Sequence, residues 1–116
     1  MISLDPHSGV APFEQIRAQV ADLIRAGDLA AGHRLPSIRQ LAADLRTAPG
    51  TVAKAYAALE EAGLVESSRS RGTRVRPGQA LDRQTQGAAQ ELARAAHRQG
   101  LSLEQVLGAV RAAWPH

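Results

Sequence analysis

Residues 35–76, LPSIRQLAADLRTAPGTVAKAYAALEEAGLVESSRSRGTRVR, decide how this chain folds. Ile38, Leu41, Ala42 and Leu45 recur at helical spacing and leave Arg39, Gln40 and Asp44 outside the apolar stripe. Leu35-Pro36 leads into that helix, with Ser37 as its N-cap or first-turn residue. Thr47 to Gly50 reads as a tight turn and the start of a second helix, with Pro49 in the first turn, where its missing N–H costs nothing. Val52, Ala55, Tyr56 and Leu59 line one face of this helix, and Gly50, Thr51, Lys54 and Ala58 are assigned to the opposite one. Gly63 stops it, and Leu64 packs back on Leu59. Two short strands follow, Leu64 to Ser67 and Thr73 to Arg76, joined by Ser68 to Gly72. Alternation points Val65 and Val75 inward, puts Arg74 and Arg76 on the other face, and leaves Arg69 and Arg71 near the tip.

Helix, turn, helix and basic hairpin in that order are the layout of a winged helix-turn-helix, which places one helix in the DNA major groove. The charge distribution agrees. Of 14 basic and 11 acidic side chains, Met1 to Ala31 hold two and four, Gly32 to Pro77 eight and four, and Gly78 to His116 four and three. The positive excess lies in the central stretch, which favours an anionic partner.

Upstream, Met1 to Ala11 is a short arm with no assigned structure. Pro12 then opens a helix in which Phe13, Ile16, Val20, Leu23 and Ile24 recur at helical spacing, and Gly27 closes it. This helix reads as scaffold, and Asp28 to Arg34 as a turn. Downstream, Leu81 to Arg98 forms another helical region with Ala88, Leu92, Ala95 and Ala96 on its apolar side, broken by Gly100. Ser102 and Gln105 make a capping-box pattern for a last helix, with Leu103, Val106, Leu107, Val110 and Trp114 as apolar positions. So narrow a stripe makes no core alone and must pack on the first domain or on a partner chain. The expected fold is mostly α (α+β): a winged helix-turn-helix over 1–77 and a C-terminal two-helix appendage over 78–116.

With 116 residues, a modest core is all the chain can bury. Single Phe, Tyr and Trp residues leave that core to aliphatic side chains. The absence of cysteine removes disulfides, thiolate catalysis and cysteine metal sites. No apolar run is long enough to cross a bilayer, so a soluble cytoplasmic chain is expected. His7, His33, His97 and His116 are scattered without metal-ligand spacing, and no nucleophile-base order or phosphate loop stands out. Glu60-Glu61 are adjacent, so their side chains diverge on a solvated helix end. Neither enzyme chemistry nor a cofactor or metal is expected.

The chain resembles the GntR family of bacterial transcription regulators, most closely its short YtrA-type subfamily. The matching segments are LDPHSGVAPFEQI, LPSIRQLAADL, P-x-TVAKAYAALEEAGLVE, R-x-RGTRV and SLEQVLGAVRAAW, spread over nearly the whole chain. The resemblance implies a homodimer that binds an operator in double-stranded DNA, usually as a repressor. It also implies dimerisation through the two C-terminal helices, by Leu92, Ala96, Leu103, Val106, Leu107, Val110 and Trp114. Longer relatives carry a large effector domain. Here about 40 residues follow the hairpin, too few for one, so any small-molecule effector is expected at the dimer interface.

The resemblance also makes Arg39 a DNA contact, the alternative being a solvated arginine or an ion pair with Asp44. A guanidinium binds phosphate or guanine bidentately. Thr47, Ala48, Gly50, Thr51 and Lys54 form the leading turn of the recognition helix, with N-terminal amides towards a phosphate. The subfamily often has asparagine on both sides of the proline, where this chain has Ala48 and Gly50. Neither can hydrogen-bond a base edge, which shifts specificity to Arg39, Thr51 and the wing. At the wing tip Arg69, Ser70, Arg71 and Gly72 stand where relatives commonly show R-G-R-G. Arg69 and Arg71 are the phosphate or minor-groove candidates, against the alternative of a basic hairpin that merely guards an edge strand. Arg74 and Arg76 are weaker candidates. Tyr56 reads as core, the alternatives being base stacking or a hydroxyl that touches a phosphate, and Trp114 as an anchor of the last helix or the dimer seam.

The expectation is therefore a homodimeric, sequence-specific regulator on a palindromic operator. An architectural DNA binder, or an interaction module with a degenerate reading head, are the alternatives.

Overall fold

The computed structural model describes residues 2–116, so Met1 of the N-terminal arm lies outside the described residues. The elements run α1 (Pro12–Arg25), α2 (Ile38–Leu45), α3 (Pro49–Glu61), β1 (Val65–Ser68), β2 (Gly72–Val75), α4 (Arg83–Arg98) and α5 (Leu103–Ala113). They form two compact units, the first ending at Ala80 and the second spanning Leu81–His116.

In the first unit α1 and α2 both pack against α3. The helical period of α1 turns Ile16, Val20, Ala21 and Ile24 inward, each almost fully buried. Burying an aliphatic side chain of this size stabilises by about 1.5–3 kcal/mol, so this stripe holds α1 in place. Val52, Ala55, Tyr56 and Leu59 of α3 complete the core with Leu41 and Ala42 of α2 and Val65 and Val75 of the hairpin. Ile38 departs from expectation, for it is 37% exposed. As the first residue of α2 it precedes the turn that carries Leu41 and Ala42 into the core.

Local signals set most element ends. Ser37 Oγ accepts from the Gln40 N–H at 3.1 Å and so caps α2. Pro49 opens α3. Gly63, at φ +79°, closes it, with the Leu64 N–H on the Leu59 carbonyl and the Gly63 N–H on that of Glu60. Leu64 is thereby spent on the helix ending, so the hairpin begins one residue later than its alternation suggests. The ladder pairs Val65 with Val75, Glu66 with Arg74, Ser67 with Thr73 and Ser68 with Gly72.

The stretch read as a plain turn, Asp28 to Arg34, contributes a third edge to this sheet. Arg34 bridges to Arg74, the Leu35 N–H bonds the Thr73 carbonyl at 2.8 Å, and the Val75 N–H bonds the His33 carbonyl at 2.9 Å. A single bridge this short carries no alternation to read. The N-terminal arm is likewise ordered against α1 by side-chain amides. Gln15 brackets the backbone of Asp5, and Gln19 that of Ser3.

In the second unit Asp82 caps α4 by accepting from the Thr85 N–H at 2.7 Å, which holds its carboxyl below the usual value. The expected capping box of Ser102 and Gln105 is present in both directions at the start of α5. Ala96 is buried, and Val106 is half-buried. Leu92, Leu103, Leu107, Val110 and Trp114 are exposed. Trp114 is the C-cap of α5 and lies just past its last helical turn.

Candidate nucleic-acid interface

The outward side of α3 is set by its inward side. With Val52, Ala55, Tyr56 and Leu59 buried, Gly50, Lys54, Ala57 and Glu61 are exposed, one above another at helical spacing. Thr51 and Ala58 sit on the flank and are half-buried. Ala57 thus replaces Ala58 on the exposed stripe, a difference of one helical step. Ala48 is the N-cap in an extended conformation and gives no side-chain cap, so no side chain caps the first turn of α3. Thr47 is half-buried in the turn before it.

Lys54 does not extend freely. Its Nζ lies 4.0 Å from the centroid of the Phe13 ring on α1. A cation over an aromatic face at a wet site gains about 0.5–1 kcal/mol, little enough for an anionic ligand to reclaim the ammonium. Tyr56, by contrast, is committed. Its hydroxyl donates to the Pro36 carbonyl at 2.7 Å, and burial pushes its pKa up to about 12.

Arg39 is exposed on α2 and forms no ion pair among the described residues. Asp44, the alternative partner for it, accepts instead from Gln40 Nε2 at 2.8 Å. The wing is stiffened at several points. The Arg71 N–H donates to Ser68 Oγ at 2.9 Å, and Ser67 and Thr73 hydroxyls meet at 3.1 Å across the ladder. Arg74 is an internal clamp: Nε donates to the Arg71 carbonyl at 3.1 Å and Nη1 to the Gly32 carbonyl at 2.9 Å. Arg69, Ser70 and Arg71 remain exposed at the tip.

The sequence places Gly72 with the wing tip, and the structure sets it against Arg34. It stands at φ +71°, and a Cβ there would lie 2.8 Å from Arg34 Nε. Arg34 therefore lies across the wing root, a basic residue beside the interface that no motif singled out. The only sign of it in the sequence is a lone arginine just before Leu35-Pro36.

Ion pairing is concentrated on α1, α4 and α5, although Arg25 of α1 and Arg83 of α4 are in no pair among the described residues. The four ion pairs among the described residues involve Glu14–Arg17 on α1, Glu91 with Arg94 and Arg98 on α4, and Glu104–Arg111 on α5. None involves Arg34, Arg39, Arg46, Lys54, Arg69, Arg71 or Arg76. The helix-turn-helix and wing thus carry a set of cations without protein counter-charges, which suits a polyanion. No group of three or more His, Asp or Glu side chains among the described residues could hold a metal. No helix among them is long and apolar enough to cross a membrane.

Comparison with known proteins agrees with this geometry. The family model described as "Bacterial regulatory proteins, gntR family" matches residues 12–75. The regulator Rv1152 of Mycobacterium tuberculosis is 40% identical over 101 residues, covering 87% of this chain and 84% of that one. The transcriptional repressor YtrA of Bacillus subtilis is 44% identical over 73 residues, 63% of this chain, and the match spans only 56% of that relative's length. Among solved structures, YtrA from Sulfolobus acidocaldarius, a GntR-family transcription factor, superposes with a TM-score of 0.61 at 31% identity, covering 83% of this chain and 97% of that one. The chain belongs to the GntR family, and it is a transcription regulator with a DNA-binding winged helix-turn-helix domain, not an enzyme.

Proposed function

We propose that this protein is a homodimeric repressor that reads a palindromic operator in the cytoplasm. The exposed stripe of α3 enters the major groove with Thr47, Ala48, Gly50, Thr51 and Lys54 at its leading end. Arg39 reinforces it from α2, and the wing tip, Arg69 to Arg71, grips the flanking backbone or minor groove. The observation that carries this reading is the set of cations around α3 and the wing that form no ion pair among the described residues, whereas four of the six arginines on α1, α4 and α5 are paired. The exposed apolar residues of α4 and α5 support a dimer seam, and two-fold symmetry then requires symmetric half-sites. The repressor named among its relatives supports the direction of regulation. An effector would act through that seam.

An architectural role is the second reading, favoured by Ala48 and Gly50, which offer no polar side chain to a base edge. Titration of the protein against the DNA upstream of its own gene, at near-physiological salt with excess random competitor, separates the two. Retained binding that is lost in Arg39→Ala identifies operator recognition. Binding abolished by the competitor identifies the architectural role.

A further inference from the structure

Three helices of this chain end on the same pair of backbone hydrogen bonds. In α3 the Leu64 N–H bonds the Leu59 carbonyl and the Gly63 N–H bonds that of Glu60; in α4 Leu101 bonds Ala96 and Gly100 bonds His97. In α2 the Thr47 N–H bonds the Ala42 carbonyl at 3.0 Å and the Arg46 N–H bonds that of Ala43 at 3.2 Å. The motif needs a left-handed residue at its penultimate position, which glycine adopts without steric cost. Gly63 and Gly100 supply it at φ +79° and +69°. In α2 the residue is Arg46, at φ 54° and ψ 47°, the one non-glycine residue with positive φ among the described residues.

Nothing within the fold asks for an arginine there. Its side chain is exposed and makes no ion pair or hydrogen bond among the described residues. Yet it occupies the turn between α2 and α3, one residue before Thr47 and two before the α3 N-cap, where the chain approaches the leading end of the recognition helix. A strained conformation kept at a site where glycine would serve better points from strain to function.

Building on the DNA-binding reading above, we propose that Arg46 is a phosphate contact that anchors the helix-turn-helix turn on the DNA backbone. The arginine is kept despite its backbone cost because its charge faces the polyanion. As a phosphate contact it positions the domain without reading sequence. Its removal therefore weakens binding equally on specific and random DNA.

The test uses the full chain and its Arg46→Gly, Arg46→Asn and Arg46→Lys variants. Thermal unfolding is measured beside fluorescence-anisotropy titrations on two labelled duplexes, the DNA upstream of the gene and a random sequence of equal length, from about 50 to 300 mM salt. Glycine and asparagine tolerate the left-handed turn, so both variants should melt about 2–5 °C higher. Both should lose about fivefold in affinity per contact at 0.15 M salt on either duplex, with a log–log salt slope shallower by about 0.9 per contact. Arg46→Lys should keep the slope. Gly and Asn variants that bind both duplexes as the wild type does overturn the assignment of Arg46 alone, and so does a loss confined to the upstream duplex. Gly and Asn variants that melt no higher than the wild type overturn the strain argument. Wild-type protein that binds neither duplex at the lowest salt overturns the DNA-binding reading itself.

Discussion

The Tyr56 hydroxyl donates a 2.7 Å hydrogen bond to the Pro36 carbonyl, 20 residues earlier in the chain. It ties the middle of α3 to the segment that leads into α2, and so fixes α3 against the helix that precedes it. The bond is partly buried, and Tyr56 is the only tyrosine, so its consequences can be read in isolation.

Tyr56→Phe leaves the Pro36 carbonyl without its donor and should cost about 1 kcal/mol, seen as a lower denaturation midpoint with an unchanged slope. The wild-type phenol should titrate near pH 12, against an ordinary 10. The sign follows from burial. The folded state holds the proton more tightly than the unfolded chain, so this group's contribution is intact below pH 10 and is lost as pH climbs from there towards 12. Tyrosinate absorbance that rises near pH 10 in still-folded protein would contradict the assignment.

Gly72→Ala places a Cβ at φ +71° and 2.8 Å from Arg34 Nε. The backbone conformation alone should cost about 1–2 kcal/mol. The Arg34 guanidinium is the far end of a flexible side chain and can swing aside, so the steric part is small. Arg34→Ala should therefore fail to rescue Gly72→Ala. In a double-mutant cycle the two changes should add within about 0.5 kcal/mol. A coupling well above that would show that the contact, and not the backbone, sets the cost.

Arg74 is held by the carbonyls of Arg71 and Gly32, so its guanidinium works inside the wing. Arg74→Met should loosen the tip, and trypsin should cleave after Arg69 and Arg71 several-fold faster than in the wild type. Arg74→Lys should restore little of the protection, because an ammonium lacks the fixed fork that reaches both carbonyls. Full protection in the lysine variant would mean that charge, not geometry, orders the wing.

Leu107 and Val110 are 41% and 37% exposed on α5. Replacing both with glutamate should halve the solution mass in sedimentation, if these side chains form the seam, while α1 to α3 keep their unfolding transition. Losing the second half-site should lower operator affinity by about 100-fold or more. A wild-type chain that sediments as a monomer would remove the seam outright.

The helix ends were legible because their causes are local. Ser37, Pro49, Gly63 and the Ser102–Gln105 pair each act within a turn of chain, so their spacing alone specifies the caps that the structure contains. The inward face of α3 was legible for the same reason, since period 3.6 determines which of Val52, Ala55, Tyr56 and Leu59 point together. The limit appears one helical step away, where Ala58 was placed on a face that Ala57 occupies, because the edge of a stripe depends on what packs beside it.

By itself, then, the sequence determined the order of elements, most of their ends and a positive excess over residues 32–77. Tertiary structure alone decided which of those charges are free. Arg74 becomes a clamp through Gly32, 42 residues away; Lys54 rests on Phe13; Arg34 crosses Gly72; and Arg46 takes a left-handed turn that three other helices give to glycine. Capping and periodicity are short-range and leave a mark on neighbouring residues. The fate of a long cationic side chain depends on which distant carbonyl, ring or glycine the folded chain brings within its reach.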